Sequence, residues 1–165
     1  MEDQNASTCI NIGSGLQVQG RLDEAIKNYK RALQIEPKNS MALSNIGIAL
    51  YSQGKNKTAL TYFVKAVKAD PKYMDAYYNI GLIQKGLGKL VLAKKAFEKV
   101  IVINPDYVQA YNNLGLVLSL QGKFEEAEGY FKKAISVNPK YVAAFNNLQD
   151  MLKKQGKRAN EYTQS

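Results

Sequence analysis

The chain has no histidine, no tryptophan, one cysteine (Cys9) and only four prolines in 165 residues. A lone thiol forms no intrachain disulfide, and without histidine neither a zinc cluster nor a His-dependent nucleophile can be assembled. No catalytic residue, metal ligand or cofactor is expected, and the chain is read as non-enzymatic. Long apolar runs are also missing: stretches such as Val100 to Ile103 fall far short of the ~18–20 residues that cross a bilayer. The opening Met-Glu-Asp-Gln-Asn is acidic and polar where a secretory leader is basic and then apolar, so a cytoplasmic location is expected. What is present suffices for a folded core, with 45% apolar and 22% charged residues, far from the composition of a disordered chain.

The few prolines are regularly placed. Pro37, Pro71, Pro105 and Pro139 follow one another at intervals of 34 residues. Glycine keeps that step twice, at Gly13, Gly47, Gly81, Gly115 and at Gly20, Gly54, Gly88, Gly122, Gly156. Ala25, Ala59, Ala93 and Ala127 keep it too, each followed four residues on by a ring: Tyr29, Phe63, Phe97 and Phe131. Within one period, Tyr111, Leu114, Gly115 and Leu118 fall at i, i+3, i+4 and i+7, the stripe of a helix from about Val108 to Leu120, here called helix A. Gly122-Lys123 interrupts it, Glu125 and Glu126 suit the first turn of a helix B, and Pro139 ends that helix.

An aromatic, a Leu-Gly pair, a small residue followed by a ring, and a closing proline in a 34-residue unit resemble the tetratricopeptide repeat. Four units cover 6–39, 40–73, 74–107 and 108–141. A capping helix over 142–155 carries Phe145, Leu148 and Leu152, and a polar tail over 156–165 ends a single domain assigned to 1–155. Cys9 and Leu43 replace the leading aromatic, Gln84 stands where an apolar residue is usual, and Val100 replaces an alanine. The resemblance implies an all-α fold: a right-handed α-α superhelix, or solenoid, of helix-turn-helix repeats, with A helices lining a concave inner groove and B helices its convex outside.

Function is then sought on the exposed side of helix A. At about 100° per residue, the second position before each motif glycine points away from the core stripe. Asparagine stands there every time, at Asn11, Asn45, Asn79, Asn113 and, in the cap, Asn147. A carboxamide both donates and accepts, so a ladder of them can pair with the backbone of an extended peptide whatever its side chains. The alternative is that these asparagines bond between adjacent helices. Beside the ladder, Ile48, Tyr51, Tyr78, Leu82, Leu116 and Leu120 add apolar and aromatic surface, with polar Asp75, Lys85, Gln109 and Ser119 among them. The inner positions lack the Lys and Arg with which chaperone-binding members of the family hold a terminal carboxylate.

Basic residues number 23 against 14 acidic, a net charge of +9. Lys65, Lys68, Lys94, Lys95 and Lys99 on the B helices make a basic convex patch suited to an acidic protein or an anionic membrane surface. Nucleic acid is disfavoured, because no groove interleaves basic and aromatic residues. Gly13-Ser14-Gly15 and Gly86-Leu87-Gly88-Lys89 lack the spacing of phosphate-binding loops and read as helix ends and turns. The expected function is an adaptor that holds a peptide or partner surface in its groove and supports assembly of a multiprotein complex, with self-association and placement at a membrane or organelle surface as further expectations. The competing expectation is the substrate-recognition arm of a larger enzyme resembling O-linked N-acetylglucosamine transferase.

Overall fold

The computed structural model describes residues 5–156. Among them are nine helices: α1 (Ala6–Val18), α2 (Leu22–Ile35), α3 (Ser40–Ser52), α4 (Asn56–Ala69), α5 (Met74–Gly86), α6 (Leu90–Ile103), α7 (Val108–Leu120), α8 (Phe124–Val137) and α9 (Val142–Lys154). Odd-numbered helices are the A helices and even-numbered ones the B helices, with α9 as the expected cap. Most of the polar tail, residues 157–165, lies outside the described residues.

The punctuation follows from the backbone chemistry of its residues. Gly20, Gly54, Gly88 and Gly122 close each A helix with φ between 71° and 77°, a left-handed conformation that glycine adopts without a Cβ clash. Each B helix stops two residues before a proline, as at Ile35 before Pro37 and Val137 before Pro139. Asn39 caps α3 by accepting the Ala42 N–H at 2.9 Å, and Asn5 caps α1 by accepting the Thr8 N–H at 2.8 Å. Asp23 and Glu24 in α2 and Glu125 and Glu126 in α8 complement the helix dipole in the first turn.

The chain divides into two compact units between Ile83 and Gln84, within α5. In the first, α1 packs on α2, α2 on α3 and α3 on α4. Its core joins Cys9, Ile10, Ala25, Tyr29, Ile46, Ala59 and Phe63. Rings and small residues nest: a Cβ built on Gly47 would stand 2.8 Å from the Phe63 ring, so only hydrogen leaves room for it. Gln53 Nε2 donates to Asp23 Oδ1 at 2.9 Å and ties the α3–α4 turn to α2. In the second unit, α7 packs on α6 and α8, and α9 on α8 and α7. Phe131 lies against Gly115, and α9 buries Ala144, Leu148, Met151 and Leu152. The departure at Gln84 is buried at 8% exposure with its Oε1 unbonded.

Candidate functional site

The carboxamides were expected on open surface because their register opposes the core stripe. Their observed settings differ along the chain. In the first unit Asn11 is exposed, while Asn45 and Asn79 are half-buried. Asn79 Nδ2 donates to the Asp75 carbonyl at 2.8 Å, one turn back in α5. Tyr51 is exposed, and Ile48, Tyr78 and Leu82 are half-buried. Ile48 packs against the core from its edge.

In the second unit Asn113 is buried at 6% exposure. Its Nδ2 donates to the Gln109 carbonyl at 2.9 Å, and its Oδ1 accepts from Lys85 Nζ at 2.6 Å. The long side chain of Lys85 reaches from the end of α5 to α7 and covers the amide, so a position that points away from its own helix's core still loses solvent. Burial in turn pushes the Lys85 amine below its ordinary pKa. Asn147 is half-buried and donates to Asn112 Oδ1 at 2.8 Å, linking α9 to α7. Leu116 packs beside the Phe131 core, and Leu120 stands exposed. In the first unit, then, Asn11 and Tyr51 are exposed and Asn45, Asn79 and Tyr78 half-buried, whereas in the second Asn113 and Asn147 are both bonded to neighbouring helices.

Sequence reasoning missed the bond to Asn112. Its signal is the doubled asparagine of Asn112-Asn113 and Asn146-Asn147, which puts a second carboxamide on two successive A helices.

The basic residues divide between the units. In the first, Lys65 lies 5.2 Å from the centre of the Tyr62 ring, within cation–π range. Lys65 and Lys68 are exposed and, with Lys38, Pro37 and Leu43, line an open cleft of about 290 Å³. Lys38 went unnoticed in the sequence because it sits in a turn. In the second, Lys94 pairs with Glu98 at 3.7 Å, while Lys95 and Lys99 are exposed. Among the described residues no cluster of Asp, Glu or Cys could hold a metal ion, and no helix is long and apolar enough to cross a membrane.

Known families and folds agree with this architecture. The family described as Tetratricopeptide repeat matches residues 75–107 and 108–141, and the one described as TPR repeat matches 18–54 and 47–88. No curated protein matches the chain. Among solved structures, MamA (residues 41 to the end) from Desulfovibrio magneticus RS-1 superposes with a TM-score of 0.83 at 26% identity, over 92% of this chain and 85% of that one. A second crystal structure of MamA gives 0.81 at 28%, over 88% and 85%. YrrB, a TPR protein with an unusual peptide-binding site, shares the fold with a TM-score of 0.79 at 23% identity, over 96% of this chain and 81% of that one.

Proposed function

The chain belongs to the tetratricopeptide repeat family, an all-α array of helix pairs, and from that premise we propose that it is a non-enzymatic adaptor whose A-helix face holds an extended peptide segment of a partner protein. Assembly of a multiprotein complex is the role that follows. The observation that carries this reading is the asparagine repeated at one register of every A helix, from Asn11 to Asn147, with exposed Tyr51 and half-buried Tyr78 beside it in the first unit. Asn79 Oδ1 stays available to accept a peptide N–H while its Nδ2 is fixed to the Asp75 carbonyl, so the acceptor is held in place before the ligand arrives. Asn113 and Asn147 serve the face indirectly, one by positioning Lys85 and the other by joining α9 to α7. Backbone pairing by carboxamides supplies affinity without sequence preference, and Tyr51 and Tyr78 supply the preference in the first unit.

The test is binding of a fluorescein-labelled random dodecapeptide library, read by anisotropy and by sequencing the bound pool. The double substitution Asn45→Ala, Asn79→Ala should weaken binding about thirtyfold for all bound sequences alike, since each lost hydrogen bond is worth ~1 kcal/mol. Tyr51→Ala should instead change which sequences are enriched. Wild-type affinity and an unchanged pool in both variants would reject the face.

A further inference from the structure

The four repeats act as internal controls for one another, and α6 departs from the other three B helices on its solvent side. Val91, Leu92 and Val102 are 62%, 46% and 75% exposed, and Leu87, in the turn before the helix, is 42% exposed. One period away in either direction, the equivalents of Leu87 are Gln19, Gln53 and Gln121. Those of Val91 are Asp23, Lys57 and Glu125, those of Leu92 are Glu24, Thr58 and Glu126, and those of Val102 are Gln34, Lys68 and Ser136. Twelve polar residues thus stand where this repeat alone has four aliphatic ones. Val91 and Leu92 also stand where α2 and α8 carry the first-turn acids that favour the helix dipole, a local stabilisation that α6, like α4, forgoes.

The aliphatic residues and two lysines share a face. Val91, Lys95, Lys99, Val102 and Leu92 fall within an arc of about 100° when successive residues turn by about 100°. All five are exposed. Lys95 and Lys99 form no ion pair among the described residues, and the one acid of the helix, Glu98, is held by Lys94 beside the face. Such a face calls for an occupant with a negative surface and an apolar layer beneath it. Protein interfaces draw on Trp, Tyr and Arg and are depleted in lysine, and this face has lysine and none of those three. Lysine on a long aliphatic stem beside Val and Leu suits the headgroup boundary of a bilayer, where the amine reaches anionic headgroups as the short side chains enter the acyl region.

We infer that the exposed face of α6 docks on an anionic lipid surface, through insertion of Val91, Leu92 and Val102 and pairing of Lys95 and Lys99 with lipid headgroups. This contact is separate from peptide capture by the A helices and does not depend on it.

Co-sedimentation of the intact chain with vesicles of phosphatidylcholine containing 30% phosphatidylserine tests the inference, with pure phosphatidylcholine vesicles as control. The chain should pellet with the mixed vesicles, stay in solution with the neutral ones, and be released by high salt. Val91→Glu, Leu92→Glu installs the pair that α8 carries at Glu125 and Glu126, so the helix keeps its fold, which circular dichroism verifies. That variant should bind at least tenfold more weakly. Lys95→Ala, Lys99→Ala should bind more than tenfold more weakly, at about fivefold per lysine. A wild-type chain that stays in the supernatant, or a Val91→Glu, Leu92→Glu variant that pellets like wild type, overturns the inference. Concentration-dependent dimerisation that the same variant abolishes, without vesicle binding, would assign the face to a second copy of the chain and overturn it equally.

Discussion

Asn79 and Asn113 hold the same register one period apart, and each fixes its Nδ2 on the carbonyl one turn back. They differ in what approaches the oxygen. Asn113 is the acceptor for a half-buried ammonium, so Asn113→Ala should destabilise the protein by about 1–3 kcal/mol in urea unfolding, the cost of stranding a partly buried donor. Asn79→Ala should cost less than about 0.5 kcal/mol, and equal losses at the two sites would refute the distinction. Lys85 adds a pH dependence of defined sign. Its folded pKa lies below its unfolded one, so the unfolded chain binds more protons and wild type gains stability as pH rises from the depressed value toward the ordinary lysine range. Below that window the penalty is present in full. Lys85→Met should lack this alkaline gain, which paired urea titrations of the two proteins at pH 7 and pH 10 would measure. Gln84, buried with an unbonded Oε1, should accept leucine with a gain of about 1 kcal/mol in the same assay. The asparagine register was legible in the sequence because period and helical angle fix where a side chain starts. What Lys85 covers was not, because that depends on how a long flexible side chain crosses to the next A helix.

The helix pair is governed by a glycine facing a ring. A Cβ at Gly13 would meet the Tyr29 ring at 2.5 Å, and that ring is buried and cannot swing clear, whereas Gly15 in the same helix has open space around it. Gly15→Ala should therefore stabilise by about 0.5–1 kcal/mol through helix propensity alone. Gly13→Ala makes the same gain but loses more to overpacking, which costs about 1–3 kcal/mol, and should be net destabilising. Opposite shifts of the urea midpoint would establish the contrast. Elements of this kind were legible almost to the residue: the stripe ending at Leu120, the break at Gly122 and the stop before Pro139 all reappear in α7 and α8. Proline and left-handed glycine act on the backbone locally, so their effect needs no knowledge of the tertiary structure. The aliphatic face of α6 was equally present in the sequence, but a period-based reading looks for what repeats and passes over the one unit that differs.

For the molecule as a whole, packed helices are neighbours or next neighbours along the chain: α1 to α4 in the first unit and α6 to α9 in the second. Stability then accumulates locally, with no element that every other depends on. Phe63→Ala and Phe131→Ala each empty a fully buried site and should cost about 3–5 kcal/mol. Hydrogen exchange should rise chiefly in α3 and α4 for the first and in α7 and α8 for the second; a uniform rise in either variant would mean a single cooperative block. The boundary between Ile83 and Gln84 was not legible, because the repeat runs through it without a change of period. That same period limits how such a gene can change length. Copying or excising a stretch of 34 residues leaves Tyr29, Phe63 and Phe131 opposite Gly13, Gly47 and Gly115, whereas a stretch of 30 or 38 slides ring past glycine, so growth of this protein proceeds in whole hairpins or not at all.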